Sequence, residues 1–424
     1  MIFLKKIIIL PLRLAGYLWE NNLKLNLPCM KTKFSLLLII QILFFLSFTS
    51  CGKASSKDLI LPPLILNVSW TEAYDSSAEI KVVQKNILNF QSVNLGNSRT
   101  LRILVPENYD SSSVKIKLDI ELEKNKGKTS EFYYAANSED FLPLPLSKII
   151  EVPNGISSIK VYGIDSLKQR TNVVTLSDVR INMDYKVLYM NDGQDISALN
   201  LKNILGNLYT SNTIEKIIVV GIDAGSNRLN EYGTVDSSGN SVVCYSSIGQ
   251  IGTKAKEYTR FLTEEVIPYI NQTYRVKTGP EFCTIMGSSL GGLSAFNIAW
   301  MHPELFGKAS AFSGSFWWRG YSGTNPSGEQ INQARIMQKL VNLSRKRAGM
   351  KFWFEAGTND ETSDRDGDGI IDAIDDTKDL MQELTNLGYI ENQDFVYVEV
   401  ADGQHNQSTW SKVLDDFLIW SYKK

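Results

Sequence analysis

The chain has little net charge, few cysteines and few histidines. Its 424 residues carry 44 lysines and arginines against 46 aspartates and glutamates, a formal net charge of -2, with 2 histidines and 4 cysteines. A balanced chain without a basic stripe interleaved with aromatics lacks the electrostatic footprint of nucleic-acid binding. So few cysteines make no disulfide framework, and a hydrophobic content of 43% is ordinary for a globular protein. We therefore expect a core-forming protein with no nucleic-acid partner.

Residues 30–51 have the three parts of a secretory signal. Two lysines follow Met30, an apolar run covers residues 34–48, and small residues precede Cys51. A run of about 15 residues is short for a membrane span, which needs about 20, so an uncleaved anchor is the less favoured alternative. The ending resembles a bacterial lipobox, which implies cleavage before Cys51 and a lipid on its sulfur. We expect a start at Met30, a leader and signal over residues 1–51, export, and lipid anchoring in a bacterial cell envelope, first of all at the outer membrane.

A β-rich module is predicted for residues 60–180, after a polar tether at residues 52–59. Residues 114–122 alternate apolar and charged side chains without a break, which places the apolar ones on one buried face of a strand. Weaker apolar runs separated by turn-forming residues predict an antiparallel sandwich. Tyr133 and Tyr134 could form a sugar platform, although an aromatic pair in a strand more often packs in the core or at the rim.

Residues 181–424 show a different pattern, in which short apolar runs without alternation are separated by helical stretches. Strands that are apolar on both faces and alternate with helices indicate an α/β fold with a mostly parallel sheet covered on both sides. Active sites of such sheets lie at the carboxyl ends of the strands. The runs are 187–190, 217–222, 282–286, 309–312, 352–356 and 395–400.

The run at 282–286 leads directly into the candidate nucleophile. Gly287, Ser289 and Gly291 fit the G-x-S-x-G pattern of a nucleophile elbow, in which glycines leave room for a sharp turn from strand to helix. Apolar residues at helical spacing follow the motif. A small-residue turn without chemistry is the alternative, because such pentapeptides also occur by chance. The pattern predicts Ser289 at the carboxyl edge of the sheet.

A serine hydroxyl is a weak nucleophile and needs a base within hydrogen-bonding reach. The chain offers two histidines. His302 ends the helix that follows Ser289, about three turns away, which is too far for its side chain to meet the serine. His405 lies in a polar loop directly after the last apolar run, where the loop can return over the elbow. Elimination therefore favours His405, against the alternative of a surface histidine.

The carboxylate that orients the base should lie between the serine and the histidine, because proteins with this kind of elbow run serine, acid, histidine along the chain. Asp360 follows the apolar run 352–356 within a few residues and is the first choice. Glu361 is the second and Asp364 the third, since the sequence does not say which side chain of a loop points inward.

An oxyanion formed at the attacked carbonyl needs two backbone donors. One is the amide of Leu290, directly after the nucleophile. The second is expected from Asp192 or Gln194, in the loop 191–194 that follows the first strand of the sheet. Chemistry of this kind requires no cofactor.

Several short segments follow one another in an informative order: 185–194, 220–223, 227–232, 287–292, 302–303, 313–318 and 403–406. Together they resemble the enterochelin-esterase and esterase D type of α/β-hydrolase, over roughly residues 181–422. The resemblance implies hydrolysis of carboxylic esters, with relatives acting on siderophore esters, on feruloyl or acetyl groups of plant polysaccharide, and on acylated small molecules. It also implies that Arg228, Trp317 and Trp318 contact the substrate, although the tryptophans could instead belong to the core under the elbow.

Two features depart from the pattern of that family. Relatives commonly have a histidine where Asn191 stands. Their opening strand, which resembles residues 99–109, normally leads within a few residues to the strand at Tyr185, whereas about 75 residues intervene here. Either residues 111–184 are an inserted β module, or the similarity at 99–109 is accidental and the sandwich precedes the hydrolase domain.

An acidic segment shortly after the candidate acid matches the twelve-residue calcium loop. Carboxylates stand at its positions 1, 3, 5, 9 and 12, and Gly369 stands at position 6, where the loop turns sharply. Aspartate rather than glutamate at position 12 resembles the loops of dockerins. We expect a structural calcium ion that braces the loop carrying Asp360; solvated aspartates are the alternative. The expected ligands are Asp364, Asp366, Asp368, Ile370 through its carbonyl, Asp372 and Asp375.

Two functions of different classes remain. The first is a serine esterase at the cell surface that acts through an acyl-enzyme on an acylated small molecule or a saccharide ester. The second is a surface lipoprotein that binds a ligand or glycan with its β module and keeps the hydrolase domain as a scaffold. A serine, a carboxylate and a histidine in the expected order favour the enzyme.

Overall fold

The structure is a computed structural model that describes residues 65–72, 80–109, 113–123, 131–153, 158–164, 168, 170–177, 184–246, 249–320 and 334–424. The expected start at Met30, the lipidation site Cys51 and the tether at 52–59 lie outside the described residues. No helix in these ranges is long and apolar enough to cross a membrane.

The secondary structure of these residues is defined first for the strands and then for the helices. The strands are β1 Ile65–Glu72, β2 Val82–Ser92, β3 Asn97–Pro106, β4 Ser113–Glu123, β5 Glu131–Ala136, β6 Leu142–Pro143, β7 Ile149–Pro153, β8 Ser158–Ile164, β9 Val174–Ser177, β10 Lys186–Asn191, β11 Ile217–Ile222, β12 Thr234–Val235, β13 Ser241–Val242, β14 Cys244–Ser246, β15 Gly249–Ile251, β16 Cys283–Ser288, β17 Lys308–Phe312, β18 Lys351–Asn359 and β19 Phe395–Gln404. The helices are α1 Leu201–Thr210, α2 Arg228–Glu231, α3 Ala255–Arg260, α4 Ile267–Thr273, α5 Leu290–Met301, α6 Ile336–Asn342, α7 Asp372–Asn386, α8 Gln407–Ser411 and α9 Leu414–Tyr422; a π-helical turn at Phe261–Val266 joins α3 to α4, and 3-10 turns lie at Gly193–Ile196 and Pro280–Phe282.

A central sheet organises the larger part of the molecule, with strand order β19-β18-β17-β16-β10-β11-β3-β2. The strands from β19 to β11 are parallel, and β3 and β2 are antiparallel additions at one edge. Strands β11 and β16 are buried at every residue because helices cover both faces. Helices α3 to α7 contribute to the core on one face, and α1 and α9 contribute to the core on the other. The predicted α/β fold with a mostly parallel sheet is confirmed.

A smaller β-sandwich packs a three-stranded sheet, β1-β4-β7, against a four-stranded sheet, β6-β5-β8-β9. Its core combines apolar side chains from both sheets, including Ile116 and Leu118 of β4 with Ile159 and Val161 of β8, all of them buried. The uninterrupted alternation in β4 explains this packing, since every second side chain of a strand points to the same face.

The structure shows how the sandwich is connected to the central sheet. Strands β2 and β3, which the sequence analysis placed in the β-rich module of residues 60–180, belong to the central sheet, where β3 pairs with β11. Strands β4 to β9 follow β3 and precede β10, and β1 joins them by pairing with β4. The sandwich strands after β3 are therefore inserted between two strands of the central sheet, and β3, which begins the segment 99–109, belongs to that sheet.

The two tyrosines considered for a sugar platform point to opposite faces of β5. Tyr134 packs against the sandwich core. Tyr133 stacks on Tyr162 of the neighbouring strand with ring centroids 5.1 Å apart, and the Arg170 guanidinium lies 3.8 Å from the Tyr162 centroid. These contacts favour packing within the module over an open stacking surface.

Candidate active site

Ser289 stands at the corner between β16 and α5, in a backbone conformation that few serines adopt. Its φ is 56° and its ψ is -126°. The turn is tight enough that a Cβ on Gly287 would lie 2.2 Å from the Gly291 carbonyl oxygen, and a Cβ on Gly291 would lie 2.8 Å from an Asp192 carboxylate oxygen. Both glycines are therefore required by close approach, as expected for a nucleophile elbow.

Asp360 and His405 meet at the carboxyl ends of β18 and β19. His405 Nδ1 lies 3.3 Å from Asp360 Oδ2, and the Asp360 side chain is only 1% exposed while that of His405 is 42% exposed. The two loops approach because Gly357 and Gly403 touch backbone to backbone: a Cβ on Gly357 would lie 2.4 Å from the Gly403 carbonyl carbon. With Nδ1 at the carboxylate, Nε2 is left for proton transfer, the division of roles found in serine hydrolases.

The turn at residues 313–315 links the nucleophile to this pair. The Ser289 hydroxyl lies 3.5 Å from the Ser315 hydroxyl, and the Ser315 amide donates to the Ser289 carbonyl. The Ser313 hydroxyl donates to Asp360 Oδ1 at 3.0 Å. Among the described residues, Ser289 Oγ makes no hydrogen bond to His405. Catalytic hydrogen bonds are often long in the free enzyme and tighten with substrate, so the arrangement is compatible with the predicted roles.

The other candidates for acid and base lie elsewhere. Burial, followed by the Asp372 charge, raises the pKa of half-buried Glu361. Asp364 is exposed, and its carboxylate accepts from the amides of its own loop. His302 pairs with Glu304 at 3.0 Å beyond the end of α5. The structure thus brings Asp360, of the three acids considered, against His405.

The two predicted oxyanion donors of the 191–194 loop differ in their availability. The Asp192 amide is buried and donates to the Tyr232 hydroxyl at 3.0 Å, so it is already used. Gln194 lies in the same loop. Its side chain donates to the Asp192 carboxylate and accepts from the Ala224 amide. Leu290 is the first residue of α5, where a helix leaves its amide without an intrahelical partner. The amide of Asp192 is therefore engaged by Tyr232, and the amides of Leu290 and Gln194 stay the predicted oxyanion donors.

The three residues expected to contact substrate have different surroundings. Arg228 forms a two-pronged ion pair with the Asp192 carboxylate, with both distances 2.8 Å, and keeps 29% of its side chain exposed. Trp317 is partly buried at the edge of the core. Trp318 is fully buried, and its Nε1 donates to the Val242 carbonyl. The structure places Trp318 in the core because the backbone at Gly252 packs directly on its ring.

Asn191, the position at which relatives commonly have histidine, supports the elbow from below. It is 1% exposed, donates through Nδ2 to the Gly291 carbonyl at 2.8 Å, and accepts from the Tyr258 hydroxyl at 2.7 Å.

Ser313 and Trp410 were not singled out as site residues by sequence reasoning. The motif at 313–318 was the available signal for Ser313, and nothing local marked Trp410.

The acidic loop brings three carboxylates together. One carboxylate oxygen from each of Asp364, Asp366 and Asp368 lies within 4.8 Å of the others. Asp372 is turned toward Arg365, accepting from its amide at 2.8 Å. Asp375 stands in the first turn of α7, where burial and then the Asp368 and Asp366 charges raise its pKa to about 6. The residues at positions 1, 3 and 5 therefore fit a hard divalent cation, which prefers carboxylate oxygens.

Fold and site together define a serine hydrolase of the α/β type. Residues 165–421, more than half of the chain, match the sequence model of the esterase family described as "Putative esterase", and the chain belongs to that family. It is therefore a carboxylic ester hydrolase.

Similarity to individual proteins is more distant. The chain is 24% identical over 241 residues to "Uncharacterized protein YbbA" of Bacillus subtilis (strain 168), covering 57% of this chain and 86% of that protein. Similar solved structures include an IroE-like serine hydrolase from Shewanella oneidensis, at 16% identity, with 80% of this chain and 79% of that chain covered and a TM-score of 0.47. They also include the enterobactin esterase FES from Shigella flexneri, at 12% identity, with 81% and 97% covered and a TM-score of 0.42.

Proposed function

We propose that the protein hydrolyses carboxylic esters through an acyl-enzyme formed on Ser289. His405 takes the proton of the attacking hydroxyl through Nε2 and returns it to the leaving alcohol. Asp360, 3.3 Å from Nδ1, holds the ring and stabilises the imidazolium that forms. The amides of Leu290 and Gln194 receive the negative charge on the carbonyl oxygen. Water then attacks the ester of Ser289 by the reverse sequence, and the acid is released.

The observation that carries this proposal is the pairing of His405 with a buried carboxylate beside a strained elbow serine. A left-handed φ at a serine costs free energy, and such strain is retained where it places a functional group. The proposed substrate is an acylated small molecule or a saccharide ester. The Arg228 charge is already neutralised by Asp192, so recognition of a strongly anionic ester through Arg228 is not favoured.

The test is hydrolysis of p-nitrophenyl acetate and butyrate by the form that starts after Cys51, with Ser289→Ala beside it. Activity in the unchanged protein and its loss in the variant are expected. Ser315→Ala is the matched control, because it removes a hydroxyl only 3.5 Å away without removing the nucleophile. Equal background from all three proteins would contradict the proposal, and glycan binding by the sandwich would then be examined.

We also propose that the mature protein is exported and held in a bacterial cell envelope by a lipid on Cys51. The charged, apolar and small-residue regions that precede this cysteine support the proposal. Metabolic labelling with a fatty acid is expected to mark the protein, and Cys51→Ser to abolish the label. Labelling that survives this substitution would refute Cys51 as the site.

A structural calcium ion in the acidic loop is a further part of the proposal. Asp364, Asp366 and Asp368 would supply carboxylate oxygens and Ile370 its carbonyl, with Asp372 and Asp375 completing the set. Bound calcium would neutralise the repulsion among these groups and brace the segment that follows Asp360. Calorimetric titration with calcium is expected to give a saturable signal that Asp366→Asn weakens; absence of heat from the purified protein would exclude the site.

A further inference from the structure

A buried acid lies beneath the candidate triad and takes no part in the mechanism above. Glu355, in the middle of β18, is 0% exposed. Its Oε2 lies 3.4 Å from the Ser313 hydroxyl, and its Oε1 has no hydrogen-bond partner among the described residues. An ionised carboxylate in such a place would need paired charges or several donors. Glu355 has neither.

Ser313 is the neighbour through which Glu355 reaches the triad. The Ser313 backbone is held in a left-handed conformation, with φ 47°, and its amide donates to the Glu355 carbonyl at 2.8 Å. Its hydroxyl oxygen lies 2.8 Å from Trp410 Nε1 and 3.0 Å from Asp360 Oδ1. Glu355 of β18, Trp410 of α8 and Asp360, which directly follows β18, therefore all lie around the Ser313 hydroxyl.

The number of available protons determines which group donates and which accepts in each hydrogen bond of this cluster. A serine hydroxyl has one proton to donate and two lone pairs, and a tryptophan N–H can only donate. Trp410 therefore uses one lone pair of Ser313. Asp360 accepts the Ser313 proton, because its Oδ1 lies 3.0 Å from the hydroxyl and Glu355 Oε2 lies 3.4 Å from it. The second lone pair of Ser313 then faces Glu355, and two acceptors would oppose each other unless Glu355 carries a proton.

The surroundings of Glu355 also favour its protonated form. Burial, followed by the charge of Asp360, raises the pKa of Glu355 to about 8. On the neighbouring strand β19 the register partner of Glu355 is Val398, which does not titrate. Tyr397 and Glu399 lie on the opposite face of that strand, where the Tyr397 hydroxyl donates to Glu399. His405 lies on the far side of the cluster, against the other oxygen of Asp360.

We propose that Glu355 is a positioning residue that carries a proton on Oε2 and donates it to Ser313, which commits the single Ser313 proton to Asp360. Asp360 is then fixed by Ser313 at Oδ1 and presents Oδ2 to His405. The catalytic consequence rests on the proposed esterase mechanism, whereas the proton assignment does not. When Glu355 ionises, it competes with Asp360 for the Ser313 proton, and the carboxylate that orients His405 loses its fixed partner.

The catalytic test follows kcat and KM of the full chain in detergent with p-nitrophenyl butyrate across about pH 6 to 10. The unchanged protein is expected to lose kcat as pH rises through about 8. Glu355→Gln should retain the neutral-pH kcat and lack this alkaline decline, because an amide N–H donates at every pH. Glu355→Leu should lower kcat about tenfold at all pH values with little change in KM, since it removes the donor. The same alkaline decline in wild type and in Glu355→Gln would overturn the positioning role.

The proton itself is tested by infrared spectroscopy, which does not depend on activity. A carboxylic-acid C=O band is expected at neutral pH in the wild type, is lost at alkaline pH, and is absent in Glu355→Gln. A spectrum without this difference would overturn the proton assignment even in an active esterase. The band in a protein without ester hydrolysis would support the assignment and refute the proposed function.

Discussion

Replacing Glu355 by glutamine should change how the stability of this protein depends on pH. An unfolded chain releases the Glu355 proton near the ordinary pKa of 4.5, whereas the folded protein holds it until about pH 8. Between these pH values Glu355 is ionised in the unfolded chain and protonated in the folded protein. The free energy of unfolding of the wild type therefore falls as pH rises. Glutamine does not titrate, and the variant escapes this loss.

The magnitude follows from the two pKa values. At about 1.4 kcal/mol for each pH unit, the interval from 4.5 to about 8 corresponds to about 5 kcal/mol, of which about 3 kcal/mol has accumulated at pH 7. Relative to its difference from wild type at low pH, Glu355→Gln should therefore gain about 3 kcal/mol at neutral pH. This is a large share of the roughly 5–15 kcal/mol by which domains are stable.

The assay is urea unfolding of both proteins at several pH values, with the calcium concentration held constant. The quantity to compare is the difference in unfolding free energy between variant and wild type at each pH, because other titrating groups cancel in it. Glu107→Gln is the matched control, since it removes the same kind of charge from an exposed position outside the site. A difference that stays constant from pH 4.5 to 8 would refute the protonated state of Glu355.

Three further predictions, which use five substitutions, test the site and the residues that support it. Asp360→Asn should lower kcat about 10⁴-fold by leaving His405 in the wrong tautomer, while Glu361→Gln should keep nearly full activity; the reverse order in p-nitrophenyl ester assays would reassign the acid. Asn191→Ala should destabilise the protein by about 1–3 kcal/mol in urea unfolding, because it orphans the Gly291 carbonyl and the Tyr258 hydroxyl; an unchanged midpoint would contradict this support role. Trp318→Ala should lower stability by about 3–5 kcal/mol through a core cavity, whereas Trp317→Ala should mainly change KM; equal stability losses would show that both rings are core.

The sequence was sufficient for elements whose causes are local. The alternation in β4 predicted a half-buried strand, and the apolar runs predicted the parallel strands of the central sheet. Helix α5 begins and ends at the residues that the motif and the helical spacing indicated. Side chains alternate between the two faces of a strand and return to the same face of a helix about every 3.6 residues. A local stretch of sequence is therefore enough to indicate these elements.

The local sequence pattern did not predict contacts between segments that are distant along the chain. Strands β2 and β3 were placed in the β-rich module because a strand's sequence does not state which sheet it joins. Trp318 resembled a substrate contact by its position in a motif, but its burial depends on the backbone at Gly252. The amide of Asp192 was a reasonable oxyanion donor until Tyr232, forty residues later, was found to use it.

The sequence by itself determined the chemistry that is available: one elbow serine, two histidines, and an acidic segment between Ser289 and His405. Only the tertiary structure decided which groups meet, because hydrogen bonding and desolvation depend on distances across the fold. It brought Asp360 against His405 through the contact of Gly357 with Gly403. It also enclosed Glu355 behind Ser313, where the absence of a counter-charge among the described residues, rather than the kind of side chain, favours its neutral form.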